Sequence, residues 1–281
     1  MRWIAKAAAH WALSTMPGGG ELRYRIQRRL GSTNSSFNAA IESARAHLEA
    51  VTSLSPLTAD AHYFEFGAGC DLIQPLIFWA SGVRTQTIID IKPLARLELV
   101  NEAISQIRKL GYDLPPSVGS FDELRQLGID YQAPQDARAP VLPASSVRYM
   151  SNTNTLEHIP GRDIPAILGS CRRMLSYDGA FSLRIDYADH YSYADSTITP
   201  VNFLRYRKRA WSAFNPPTHY QNRLRHREYL KMIREADFAV VDERRIEEPA
   251  LQNIHVNGYS REDIVTIASY MLLKKRDGAS I

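Results

Sequence analysis

Apolar and polar positions change rhythm several times along the chain. Trp3, Ile4, Ala7, Ala8 and Trp11 share one helical face, and Pro17-Gly18-Gly19-Gly20 closes that helix. A basic run follows, with Arg23, Arg25, Arg28 and Arg29 inside seven residues, and helical periodicity returns over residues 38–54. From residue 62 short β-rich runs alternate with helical ones. Strands are predicted at 62–66, 86–91, 129–131, 147–151 and 180–185, with helices at 71–81, 94–110 and 163–175. Residues 112–145 are otherwise irregular, and Tyr177-Asp178-Gly179 reads as a break before the fifth strand. This alternation predicts a parallel, doubly wound α/β sheet. Right-handed crossovers bring the carboxyl ends of its strands to one edge, where ligands bind. After Asp186 the alternation stops. Residues 187–225 are aromatic and polar and read as an insertion over that crevice; a helix at 227–236 and strands at 238–242 and 267–274 follow.

The predicted organisation is a helical N-terminal extension (1–57) and an α/β domain (58–281) that carries the 187–225 lid. The Trp residues and arginines of the extension suit either a cap packed on the domain or a peripheral contact of residues 1–30 with an anionic membrane.

Composition narrows the class. The 281 residues are 44% hydrophobic and 23% charged, as in a globular protein able to bury a sizeable core. A net charge of +4 does not demand an acidic partner. Cys70 and Cys171 are too few for a disulfide framework or a structural zinc site, which favours a reducing, cytoplasmic setting. No apolar run is long enough to span a bilayer, and His10 breaks the apolar start, so no signal peptide is expected.

The densest chemical signal is His62-Tyr63-Phe64-Glu65-Phe66-Gly67-Ala68-Gly69-Cys70-Asp71-Leu72, a strand running into a helix through two glycines. The third glycine of a dinucleotide fingerprint would fall at Leu72, or at Asp71 in the shorter spacing. Asp71 is expected to cap the helix, where a dinucleotide would place its pyrophosphate. Like charges about 4 Å apart repel by about 4 kcal/mol at an effective dielectric near 20. The loop therefore disfavours a pyrophosphate and tolerates a cationic cofactor without phosphate. Asp90 ends the next strand, where an acid can take both ribose hydroxyls.

With Leu156-Glu157-His158-Ile159-Pro160 after the fourth strand and Arg173-Met174-Leu175-Ser176-Tyr177-Asp178-Gly179-Ala180 before the fifth, the chain resembles the class I S-adenosylmethionine-dependent methyltransferases. It is most similar to the type 11/12-like bacterial kind, and the lid resembles that of members linked to surface glycans. The resemblance covers roughly residues 60–190. It implies a Rossmann-like seven-stranded sheet with the last strand antiparallel, S-adenosylmethionine as cofactor and S-adenosylhomocysteine as product. Glu65, Gly67, Ala68 and Gly69 would hold the methionine moiety, Asp90 the ribose and Asp136-Ala137 the adenine, with Asn152 joining the cofactor set.

Methyl transfer to a hydroxyl benefits from a general base. His158 follows the fourth strand, and His190, with Asp189 or Asp186 to orient it, follows the fifth, so both reach the crevice. Asp186, Tyr191, Asn202, Tyr220, Asn222 and Arg223 suit a polyhydroxylated or anionic acceptor, such as a sugar or a glycan end. No metal site is expected; Asp186, Asp189 and His190 are the nearest to a ligand set. Asn215-Pro216-Pro217-Thr218 lies outside the place after strand four where nucleic-acid methyltransferases carry a similar motif, and no basic stripe points to nucleic acid. A nicotinamide-dependent oxidoreductase or epimerase, or an inactive member acting as an interaction module, are the rival readings.

Overall fold

The computed structural model describes residues 2–29 and 37–276, except the side chains of Arg23 and Gln27. Seven strands form one sheet in the order β3-β2-β1-β4-β5-β7-β6. These are β1 His62–Phe66, β2 Thr85–Ile89, β3 Ile129–Gln132, β4 Val147–Thr153, β5 Leu175–Asp186, β6 Phe238–Glu247 and β7 Thr266–Lys275. Strands β1 to β5 pair in parallel, and β7 runs antiparallel between β5 and β6. The sheet is the one the resemblance implied.

The helices are α1 Arg2–Thr15, α2 Gly19–Arg29, α3 Phe37–Leu54, α4 Ile73–Ala80, α5 Leu97–Lys109, α6 Phe121–Gln126, α7 Ile164–Met174, α8 Lys208–Trp211, α9 His226–Glu235 and α10 Arg261–Val265. Residues of α3, α4 and α5, including Val51, Ile77 and Ile104, fill one core on one face of the sheet. Ile167 and Leu168 of α7 and Tyr229 and Ile233 of α9 fill the other. Packing is continuous across residue 57. His47 of α3 is fully buried, with its ring nitrogens at 2.7 Å from the Ser182 hydroxyl and 2.9 Å from that of Thr153.

Helix α1 belongs to a third core made with the lid. Trp3, 5% exposed, packs on Phe214, Tyr191, Tyr206 and Trp211. Its backbone N–H donates to Asp195 at 2.9 Å. Trp3 is therefore turned inward, whereas Trp11 is 37% exposed and donates its indole N–H to the Ala213 carbonyl at 2.7 Å. No described helix is long and apolar enough to cross a membrane.

Four boundaries differ from the pattern reading. Strand β5 begins at Leu175 and runs straight through Tyr177-Asp178-Gly179; a register irregularity against β4 absorbs the expected break. Strand β6 continues to Glu247 over a charged stretch, as an edge strand open to water can. The short helices α6 and α10 were not anticipated.

Candidate functional site

A cleft of about 900 Å³ opens at the carboxyl edge of the parallel strands. The β1–α4 loop forms its floor. Gly67 and Gly69 both have positive φ, 75° and 78°, and the Gly67 N–H donates to the Ile89 carbonyl at 2.8 Å. The two glycines do different work. A side chain on Gly67 would collide with that of Thr155, whose hydroxyl donates to the Gly67 carbonyl at 3.1 Å; Gly69 faces open space. Gly67→Ala is therefore expected to destabilise the fold by about 2 kcal/mol, from strain and displacement of Thr155. Gly69→Ala should lose about 1 kcal/mol, from its backbone alone. Urea denaturation of both variants checks this.

Leu72, in the left-handed region, occupies the helix N-cap expected for Asp71. The Asp71 carboxylate still accepts the first helical N–H, from Ile73 at 3.2 Å, and it does not line the cleft. Burial raises its pKa.

Glu65 lies beneath the loop, 2% exposed and off the cleft lining, and accepts from Tyr63 at 2.9 Å and Gln74 at 3.0 Å. Burial pushes its carboxyl up to about 8, with Asp90 and Asp71 adding repulsion. Ala68 adjoins the core behind the loop. Asp90, 4% exposed, lines the cleft at the end of β2. Burial raises it to about 7, opposed by hydrogen bonds from the Tyr131 hydroxyl and the Gly69 N–H. Tyr131 also accepts from the N–H groups of Leu94 and Ala95, which fixes the turn after β2.

Asp136 and Ala137 line the cleft, but Arg138 occupies both carboxylate oxygens of Asp136. Asn152 is fully buried and spends its side-chain N–H on the Phe66 carbonyl at 2.7 Å, so it braces the loop from behind.

His158 sits on the turn after β4 and lines the cleft. Its Nδ1–H donates to the Tyr220 carbonyl at 2.8 Å, which leaves the lone pair on Nε2. The ring centroid of His190 is 5.0 Å away. Of the two carboxylates expected to orient His190, Asp186 stands beside it, 3.4 Å from Nε2, and Asp189 does not. Asp189 is fully buried and accepts from the Tyr191 N–H at 3.0 Å and the Asn202 amide at 3.0 Å. The group Asp186, Asp189 and His190 is thus not assembled as a ligand set.

Of the expected acceptor-binding residues, only Tyr220 lines the cleft. Tyr191 is buried and donates to the Phe214 carbonyl; Asn202 holds Asp189. Arg223 donates to the Phe203 and Tyr206 carbonyls, and Asn222 to those of Leu156 and Ile159. These polar groups wire the lid together internally, because a segment with little regular secondary structure must satisfy its buried backbone through side chains.

The sequence reading missed five residues that line the cleft. Glu21 and Tyr24 of α2 line it from above; Glu21 pairs with Arg96 at 2.7 Å, and Tyr24 donates to Glu98. Asn154 lines it with φ 49° and a buried side-chain oxygen that has no hydrogen-bond partner. Pro217 and Thr218, within the Asn-Pro-Pro-Thr stretch, line it too, and Thr218 donates to the His10 carbonyl at 3.0 Å.

No known family matches the chain by sequence, and neither does any curated protein. Solved structures match in three dimensions. The [4+2]-cyclase SpnF is 14% identical, with 84% of this chain and 82% of that one covered and a TM-score of 0.50. The Burkholderia thailandensis 1,6-didemethyltoxoflavin-N1-methyltransferase, solved with that substrate and S-adenosylhomocysteine, is 15% identical (90% and 84% covered, TM-score 0.49). The geranyl diphosphate C-methyltransferase of Streptomyces coelicolor is 10% identical (85% and 77% covered, TM-score 0.49). The likeness, at 14% identity, is one of fold alone. One fold hosts several chemistries, so the activity of this chain has to be argued from its own cleft.

Proposed function

We propose that the chain is an S-adenosylmethionine-dependent methyltransferase acting on a hydroxyl of a small molecule, with a sugar or glycan end as the favoured acceptor. The observation that carries it is Asp90, buried at the end of β2 opposite the glycine loop, where two ribose hydroxyls can donate to one carboxylate. The cleft fits such a cofactor. Gly69 leaves open space for close approach, and the volume exceeds what one cofactor needs, which leaves room for an acceptor.

When bound, the cofactor supplies an electrophilic methyl group. The chain's own residues position and deprotonate. His158, with its lone pair set on Nε2, accepts the acceptor's proton, and Tyr220 and Thr218 contribute polar groups to the same wall.

The test is a thermal shift with S-adenosylmethionine, S-adenosylhomocysteine and NAD. The adenosyl compounds should raise the midpoint, by the equivalent of about 2.7 kcal/mol at 100 times the dissociation constant. A shift with NAD alone would overturn the proposal and favour the oxidoreductase reading.

A pH dependence follows. Unfolded carboxyls titrate near 4, whereas those of Asp90 and Glu65 hold their protons to about 7 and about 8 in the folded chain. Folding then takes up protons between those limits, so these two groups make the ligand-free protein less stable as pH rises from about 4 to about 8. Ribose hydroxyls need the ionised form of Asp90. The S-adenosylhomocysteine-induced shift should therefore grow between pH 6 and 8 while the ligand-free midpoint falls. A shift constant across that range would count against Asp90 as the ribose partner.

A further inference from the structure

Methyl transfer leaves one buried acid without a task. Glu157 is 1% exposed, and neither carboxylate oxygen makes a hydrogen bond of ordinary geometry. No Lys or Arg among the described residues forms an ion pair with it. A buried carboxyl in that condition either keeps its proton or costs several kcal/mol until a positive partner closer than the neighbouring Arg184 joins it. It cannot easily swing out, because its turn is fastened. The Asn222 N–H donates to the Glu157 carbonyl at 2.7 Å, and the Asn222 amide holds both Leu156 and Ile159 carbonyls at 2.8 Å.

Two imidazoles stand beside this carboxylate. One ligand atom each from Glu157, His158 and His190 lie within 4.8 Å of one another. Bonds of about 2.0–2.2 Å to one ion would bring such atoms about 3–3.5 Å apart, so closure needs a movement of about 1 Å. Beside His190 stands Asp186, 3.4 Å from its Nε2 without a hydrogen bond of ordinary geometry, and itself held by the Ala188 N–H at 2.8 Å and the Tyr193 hydroxyl. A carboxylate behind an imidazole ligand is the usual device for orienting it. Two acids and two neutral imidazoles balance the charge of a dication.

We propose that Glu157, His158 and His190 bind a divalent transition-metal ion, with Asp186 orienting His190. Two nitrogen ligands and one carboxylate select manganese, iron, cobalt or zinc over magnesium or calcium, which prefer all-oxygen sets. Three protein ligands leave coordination positions open, and His158 lines the cleft. An ion there takes the Nε2 lone pair, so in the loaded chain His158 is a ligand and no longer the proton acceptor, and an acceptor hydroxyl that completes the sphere would be made acidic by the ion itself. That last point rests on the methyltransferase reading; the ion does not.

The test titrates the metal-free full-length chain with Co²⁺, followed by ligand-field absorption, with Mg²⁺ as competitor. One Co²⁺ per chain is expected, undisturbed by equimolar Mg²⁺. Glu157→Gln and His190→Ala should weaken Co²⁺ binding by about 100-fold or more, and Asp186→Asn by about tenfold. A cooperative thermal transition of the same samples without ligand reports that each variant is folded, and the shift of its midpoint with S-adenosylhomocysteine tests the methyltransferase reading separately. If Glu157→Gln does not fold, His158→Ala, on the exposed turn, decides the matter. Absence of Co²⁺ binding by the wild type, displacement by equimolar Mg²⁺, or wild-type affinity in Glu157→Gln or His158→Ala would overturn the site. Intact Co²⁺ binding without any response to the adenosyl compounds would sink the methyltransferase reading and leave the metal site standing.

Discussion

Asp90→Ala is expected to abolish the stabilisation by S-adenosylhomocysteine while leaving the ligand-free midpoint close to that of the wild type. Two hydrogen bonds from ribose to a buried carboxylate are worth roughly 1.5–3 kcal/mol each. Their loss lowers affinity by about two to four orders of magnitude. The fold should not suffer comparably. Burial works against the ionised form of Asp90, and its partner Tyr131 keeps its contacts to the Leu94 and Ala95 N–H groups. Isothermal titration measures the affinity directly. An unchanged dissociation constant would show that the ribose, if bound, sits elsewhere.

Arg225→Ala should have the largest effect on stability. This side chain is fully buried, and its guanidinium donates to three backbone carbonyls: Asp263 at 2.7 Å, Thr266 at 2.6 Å, and Tyr187. Burial lowers its pKa to about 10. It ties the start of α9 to the end of β5, to α10 and to β7. Truncation leaves three buried carbonyls without donors and a cavity, a loss on the order of 4 kcal/mol. Urea denaturation should show a lower midpoint with little change in slope, and a loss below 1 kcal/mol would refute the role. Because Tyr187 adjoins Asp186, the surviving folded fraction should also bind Co²⁺ more weakly.

The parts of the site legible in the sequence are those built from local signals. Gly67, Gly69 and Asp90 line the cleft from a strand–turn–helix–strand unit whose spacing fixes where each lies on the sheet edge; Glu65, in the same unit, lies beneath the loop. The lid was misread because the partners of a polar residue are set by tertiary contacts. Asp189 and Asn202, thirteen residues apart, satisfy each other, and Asn222 reaches back to residues 156–159. Nothing in composition separates such internal wiring from groups awaiting a ligand. The short helices were missed for a different reason. With six and five residues, α6 and α10 are too short for apolar periodicity, yet Ser120 and Ser260 carry the capping signals that mark them. The edge strand β6 outran its apolar part because charge is tolerated, even favoured, where no neighbour follows. Glu157 escaped notice because a buried, unpartnered acid is visible only once its surroundings are.

Helix α2 stands over the cleft, yet none of its described side chains is buried. Its contacts to the turn before α5 and to α5 itself are Glu21–Arg96, Tyr24–Glu98 and Arg28–Glu102, all among partly exposed groups that water and salt screen. The floor of the cleft, by contrast, is cast in the core. Amide hydrogen exchange should be faster in Gly19–Arg29 than in α5, and faster still as salt is raised. The consequence is a division of labour in time. The floor keeps its shape as long as the fold does, whereas the helix above it opens on a clock of its own, one that salt should speed.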